Sequence, residues 1–121
     1  MISGIVKNGR ATVNITFRLP NQPDFSIEFQ IDTGFTDYLC LPPAAVAVLD
    51  LPFLYDVYIN LADNSTLVVA LHQAVIVWNG EERVVNVLAT GRRPLLGTAL
   101  LDGSELTIQF TDGGLVSIND L

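Results

Sequence analysis

One acidic residue in this sequence occupies a position where a carboxylate could do chemistry. Asp32 follows the alternating run Phe29-Gln30-Ile31 and precedes Thr33 and Gly34. A carboxylate next to apolar residues is costly to bury unless it is hydrogen-bonded or shared with another group. Thr33 supplies a hydroxyl, and Gly34 permits a positive φ and a close backbone approach. The pattern predicts an acid held at a strand-to-loop corner and suited to acid–base catalysis, although Asp-Thr-Gly also suits a surface turn.

The other chemistry-bearing residues form no second motif. His72, the only histidine, lies in an apolar run without a nucleophile motif, so we expect an incidental role for it. Cys40 alternates with Leu39 and Leu41, which indicates a packed rather than a reactive thiol. One cysteine and one histidine cannot build a zinc site within a chain, and we expect neither metal nor cofactor.

Length and composition predict a single domain spanning residues 1–121. Half of the 121 residues are hydrophobic and 16% are charged, so disorder is not expected. A chain of this size buries roughly two-thirds of its unfolded surface, which suffices for a core without disulfides.

Charge and hydropathy exclude several classes of protein. The net charge is −7, and Arg92-Arg93 is the only basic pair, interpreted as solvated loop charges. Nucleic-acid binding needs a clustered positive face, so we expect none. No apolar run reaches about 18 residues, so no membrane span is expected. Because Met1-Ile2-Ser3-Gly4 does not resemble a signal peptide and the lone cysteine suits a reducing compartment, we expect a cytoplasmic location.

Alternating residues that could position Asp32 recur along the whole chain. Polar turn residues separate many short strand-like runs, which predicts a closed or sandwiched all-β domain. Asn8-Gly9 and Asn79-Gly80 are hairpin signals. The expected strands cover residues 2–6, 11–19, 25–31, 38–41, 55–61, 66–71, 75–78, 83–89, 106–110 and 115–118.

Two short helices are expected within this β pattern. Pro42-Pro43 opens an apolar run that ends at Leu49, and proline is tolerated in a first helical turn. Residues 98–101, after Leu95-Leu96-Gly97, favour one or two further helical turns.

The order of these motifs resembles a retropepsin-like aspartic protease of the small, single-domain bacterial type. The matching stretches are Ile31-Asp32-Thr33-Gly34, Tyr38-Leu39-Cys40-Leu41-Pro42 and Leu95-Leu96-Gly97-Thr98-Ala99-Leu100-Leu101. The resemblance covers residues from about 11 to 110. It implies a retropepsin-like closed barrel or sandwich and an aspartic endopeptidase that cleaves extended polypeptides.

The proposed chemistry requires a second acid. One carboxylate activates water while a protonated partner polarises the carbonyl, and two carboxylates about 3 Å apart share one proton. Since the chain has one Asp-Thr-Gly, the partner must be Asp32 of a second copy, as a two-fold homodimer provides. The resemblance implies that Thr33 braces the two loops across the axis. It also implies that the hairpin of residues 61–67, tipped by Asp63, Asn64 and Ser65, is a flap over the substrate.

Two residues depart from the viral members of this family. Phe35 stands where they have Ala, and Thr98 stands where they have an Arg that supports the dimer. Asp37 is a nearby acid, and Arg92 or Arg93 is a candidate partner for it. A weaker dimer is the expected consequence.

Two alternatives remain open at the level of sequence. The first is a retropepsin-like domain that is catalytically weak or inactive and serves dimerisation or peptide binding. The second is an unrelated β-sandwich interaction module, for which the spacing of the motifs would be a coincidence.

Overall fold

Strands make up most of the molecule, and the computed structural model describes all residues from Met1 to Leu121. The ten strands are β1 (Ile2–Lys7), β2 (Arg10–Arg18), β3 (Phe25–Ile31), β4 (Leu39–Leu41), β5 (Phe53–Asn60), β6 (Thr66–Trp78), β7 (Glu81–Ala89), β8 (Leu95–Leu96), β9 (Ser104–Ile108) and β10 (Leu115–Asp120). The two helices are α1 (Pro43–Leu49) and α2 (Thr98–Leu101). The prediction of an all-β fold with one or two short helices is confirmed.

Six of the strands close into a ring. The strand order is β5-β6-β7-β4-β8-β3-β2-β1-β10-β9, and β6 pairs additionally with β2. This extra pairing, in which Phe17 lies opposite Ile76, joins the two ends of the series from β6 to β2. The result is a barrel whose interior is filled by alternate side chains. Strand β5 extends the sheet beside β6, and β1, β10 and β9 extend it beside β2.

Strand β6 corrects one expectation from the sequence. Residues 66–71 and 75–78 were expected to form two strands, but they belong to one continuous strand of 13 residues. The first part pairs with β5 up to His72, and residues 75–77 of the same strand pair with β2. The prediction of two separate strands is wrong because β6 changes its pairing from β5 to β2 while its own backbone stays extended throughout.

The barrel interior holds a single large apolar cluster of 21 buried residues. Phe17 and Phe29, both fully buried in this cluster, stack with ring centroids 6.0 Å apart. Burying a side chain of this size contributes about 1.5–3 kcal/mol. Trp78, beside the Asn79-Gly80 turn, is buried. The core therefore fixes the strands whose ends carry the candidate site.

The predicted asparagine–glycine hairpins adopt the expected conformation. Asn8 and Gly9 have φ of 51° and 76°, and Asn79 and Gly80 have φ of 52° and 82°. Positive φ at both central residues is typical of type I′ turns, which match the twist of paired strands. Neither of the two helices has the length and apolar character needed to cross a membrane.

Candidate active site

Asp32 lies at the end of β3, where the chain leaves the barrel. The last two residues of β3 pair in parallel with Leu95 and Leu96 of β8. The Asp32 backbone N–H continues this ladder by donating to the Leu96 carbonyl at 3.0 Å. Strand β8 also pairs with β4 on its other side. Because β8 is inserted between the strands that precede and follow the Asp32 loop, both ends of the loop are held in one sheet.

The loop folds back on the Asp32 side chain. Oδ1 of Asp32 accepts a hydrogen bond from the Gly34 N–H at 2.9 Å, and Phe35 N–H donates to the Asp32 carbonyl at 3.1 Å. Asp32 is half-buried and forms no ion pair within the chain. The site therefore presents an oriented carboxylate that no cation of the same chain neutralises.

Of the two properties expected of Gly34, a positive φ and a close backbone approach, the structure shows only the close approach. Gly34 is not among the glycines with positive φ. A Cβ added to Gly34 would lie 3.2 Å from Oδ1 of Asp32. Glycine at this position thus favours the close approach of its N–H to the carboxylate rather than a left-handed backbone.

Thr33 is the outermost member of the corner. Its side chain is exposed and lies outside the intrachain hydrogen bonds that shape the turn. Asp32, Thr33 and Gly34 are thus together at one exposed corner, as consecutive residues must be. The hydroxyl of Thr33 is available to a partner outside the chain.

Gly97 locks the loop after Asp32 against the start of α2. Gly97 N–H donates to the Tyr38 carbonyl at 2.9 Å, and Thr98 N–H donates to the Phe35 carbonyl at 2.8 Å. A Cβ on Gly97 would lie only 2.1 Å from the Asp37 carbonyl oxygen. The late Leu-Leu-Gly motif therefore supports the Asp32 loop directly, and only glycine allows this contact between backbones.

The suggested ion pair of Asp37 is not formed within the chain. The three salt bridges are Lys7–Glu28, Arg18–Asp24 and Arg18–Glu82. Asp37 instead accepts a hydrogen bond from the Tyr38 backbone N–H at 2.8 Å. Neither Arg92 nor Arg93 pairs with Asp37 within the chain, where a local backbone donor contacts the carboxylate instead.

An apolar cavity of about 470 Å³ opens beside the loop that follows Asp32. Phe35 and Asp37 line it on the loop side, and Tyr55, Val57 and Ile59 line it from β5. Phe35 also packs on the small buried cluster of Val69, Leu71 and Leu88. The sequence pattern did not indicate this cavity. The signals available in the sequence were the large apolar Phe35 after Asp32-Thr33-Gly34 and the aromatic Tyr55 in the expected strand of residues 55–61.

The β5–β6 hairpin projects beyond this cavity. Asp63 at its tip accepts hydrogen bonds from both the hydroxyl and the backbone N–H of Ser65. Both hydrogen bonds lower the pKa of Asp63, and the bond from the Ser65 hydroxyl has the larger effect. Asn64 adopts a positive φ of 64°. The tip is therefore shaped by an acidic turn without glycine. Its three residues line no cavity of the chain, whereas the hairpin base faces the Asp32 loop.

The two residues set aside as incidental are both engaged by neighbouring groups. The Cys40 thiol donates to the Thr90 carbonyl at 2.9 Å, and burial raises its pKa. His72 Nδ1 lies 2.9 Å from the Leu51 carbonyl oxygen, and its ring packs edge-on against Phe53. No group of three or more His, Cys, Asp or Glu side chains is arranged to hold a metal ion.

Comparison with known proteins identifies the type of fold. No protein-family model matches the sequence, and no curated protein sequence matches it. The crystal structure of a retropepsin-like aspartic protease from Rickettsia conorii superposes with a TM-score of 0.62. The match covers 100% of this chain and 91% of that chain, at 18% sequence identity. The chain therefore has a retropepsin-like fold.

Proposed function

We propose that this protein is an aspartic endopeptidase that works as a homodimer on extended polypeptides. The observation that carries the proposal is the oriented, uncompensated carboxylate of Asp32 at the exposed corner of a retropepsin-like fold. One Asp32 removes a proton from water, and the water oxygen attacks the scissile carbonyl carbon. The protonated Asp32 of the second subunit donates its proton to the carbonyl oxygen. Breakdown of the tetrahedral intermediate breaks the C–N bond, and the nitrogen leaves with a proton from the dyad.

The sheet face that carries Asp32 supports the assignment of a second copy as partner. Asp32 follows Gln30 by two residues, and Gln30 lies opposite Thr12 in β2. Thr12 lies opposite Ile5, which in turn lies opposite Leu115. Cross-strand partners share a face, so the exposed apolar side chains of Ile5 and Leu115 lie on the face of the catalytic acid. Apolar surface beside an incomplete site suits burial in an isologous interface.

The proposal also assigns roles to Thr33, to the hairpin tip and to the apolar cavity. Thr33, exposed next to Asp32, would hydrogen-bond across the two-fold axis, and the hairpin tipped by Asp63, Asn64 and Ser65 would cover the bound peptide. The apolar cavity lined by Phe35 and Val57 accepts an apolar substrate side chain. No cofactor or metal takes part. A cytoplasmic location belongs to the proposal as well, supported by the single cysteine being buried and free.

Asp32→Asn tests the proposal directly. Asparagine keeps an Oδ1 that can accept from Gly34 N–H but cannot act as a base or share a proton, so we expect kcat to fall by about 10³ or more. Cleavage of a peptide library followed by mass spectrometry measures the loss. Asp112→Asn is the matched control, because Asp112 is also a turn acid that accepts a backbone N–H, that of Asn8.

Two results would decide against an active protease. Cleavage that persists unchanged in the Asp32→Asn variant would exclude Asp32 as the catalytic acid. Absence of cleavage by the wild-type dimer, with retained peptide binding, would favour the alternative of an inactive retropepsin-like domain that binds peptides.

A further inference from the structure

A second cavity lies along the end of β3 that leads into Asp32, and its lining differs sharply from that of the apolar cavity. It has a volume of about 200 Å³ and no hydrophobic lining residue. Its walls are formed by Arg10 and Thr12 of β2, Glu28 and Gln30 of β3, and Arg93 and Pro94 of the loop before β8. The Gln30 N–H donates to the Pro94 carbonyl at 3.0 Å, which ties this loop to β3. The cavity is therefore built from three elements of the site.

Its position places it within reach of the reacting groups. Side chains alternate along a strand, so Glu28, Gln30 and Asp32 share one face. Residues two apart in a strand are separated by about 6.6 Å. The distance from the scissile carbonyl to the end of an extended Glu side chain on the neighbouring residue is similar. A peptide held at Asp32 can consequently extend one side chain into the polar cavity.

The charge of the cavity is opposite to that of the molecule. The chain has a net charge of −7 with only six basic residues, yet Arg10 and Arg93 both line this one cavity. Neither forms a salt bridge within the chain. The carboxylate of Glu28 is already paired with Lys7, whose Nζ lies 2.6 Å from Oε2. The two arginine charges that line the cavity are therefore without a carboxylate partner in the chain and are available to a ligand.

We propose that this cavity is a specificity subsite that binds an acidic substrate side chain, Asp or Glu, next to the scissile bond. This inference rests on the proposed function, since it names the substrate class of the same site. Arg10 in β2 and Arg93 in the loop before β8 line the cavity from opposite sides of β3, and guanidinium binds carboxylate through paired, charge-assisted hydrogen bonds. The amide of Gln30 and the hydroxyl of Thr12 add neutral polar groups to the walls. Such a cavity disfavours an apolar side chain, which would leave the arginines desolvated without a partner.

The experiment compares two peptides that differ only in Glu or Gln at the position next to the scissile bond, identified from the wild-type cleavage products. At low salt we expect kcat/KM to favour Glu by about 10-fold. The double variant Arg10→Gln and Arg93→Gln should lower that ratio to about 2-fold or less. Arg92→Gln is the matched control, because Arg92 is the neighbouring loop arginine and does not line the cavity. High salt should weaken the preference, since partly exposed charges are screened.

Binding separates failure of this subsite from failure of the protease. The same Glu and Gln peptides are titrated into the Asp32→Asn variant by isothermal calorimetry, with and without the two arginine substitutions. Tighter binding of the Glu peptide, lost with the arginines, supports the subsite even if the wild type cleaves nothing. Equal binding and cleavage of the two peptides would overturn the inference while leaving the protease intact. A change in self-association with an unchanged Glu-to-Gln ratio would instead assign the arginines to the subunit interface.

Discussion

At the scale of single residues, the site depends on how each polar group is satisfied. Asp32 and Asp37 are close in sequence, and each accepts a backbone N–H of its own loop. Only Asp32 directly follows a barrel strand, and only at Asp32 does the proposed mechanism call for a second acid. Cys40 is the opposite case, because its thiol is directed into the fold and bonded to the Thr90 carbonyl.

Cys40 should be nearly inert in the native protein. Burial raises the pKa of its thiol, so the reactive thiolate is scarce at pH 7 to 8. We expect its reaction with Ellman's reagent to be slower by about 100-fold or more than in urea, because attack requires local opening. The absorbance of released thionitrobenzoate measures both rates, and Cys40→Ser provides the blank. Equal rates in buffer and in urea would contradict the buried thiol.

At the scale of elements, β8 organises the site although it has only two residues. It pairs in parallel with β3 and antiparallel with β4, so the loop between those strands must pass around it. The residue after β8, Gly97, then contacts the backbone of that loop. The hairpin of β5 and β6 approaches the same loop from the other side through the apolar cavity. Two elements distant in sequence thus define one cleft.

Gly97→Ala should destabilise the fold strongly. The added Cβ would overlap the Asp37 and Phe35 carbonyl oxygens, and backbone atoms must shift to relieve the overlap. Since forced repacking of this kind costs typically 1–3 kcal/mol and occasionally more, we expect a loss of about 3 kcal/mol in the free energy of unfolding. Urea denaturation followed by tryptophan fluorescence measures it.

Gly103→Ala controls for the general effect of replacing glycine. Gly103 has a φ of 79° and an added Cβ would meet nothing within 4 Å, so only the conformational cost of about 1 kcal/mol applies. Equal losses for Gly97→Ala and Gly103→Ala would show that the contact of Gly97 with the Asp32 loop is unimportant.

At the scale of the whole molecule, the barrel leaves the proposed site unfinished. The chain has one Asp-Thr-Gly, while hydrolysis by an acid dyad needs two carboxylates. In the proposed homodimer, a two-fold axis beside Asp32 supplies the second carboxylate without any further residue. Because the catalytic unit is then the dimer, activity per subunit depends on which subunits associate.

Mixing wild-type protein with the Asp32→Asn variant tests the shared site. With equal amounts and random exchange, half of the wild-type subunits enter mixed dimers, so activity per wild-type subunit should fall to about one half. A tenfold excess of variant should reduce it to about one tenth. Initial rates of peptide cleavage measure this after equilibration. Serum albumin in the same excess is the control, and activity unaffected by the variant would show that each chain works alone.

The sequence by itself determined the local structure and the identity of the candidate acid. Alternation along Phe25–Ile31, the Asn-Gly turns and the proline that opens α1 are local signals, so they predict strands, hairpins and a helix before any tertiary contact is known. Only the tertiary structure decided which segments meet. Three features depend on pairings between residues far apart in the chain: closure of the barrel through β6 and β2, the contact of Gly97 with the Asp37 carbonyl, and the presence of Arg10 and Arg93 at one cavity. Such pairings are selected by burial of the common core, which no single segment encodes.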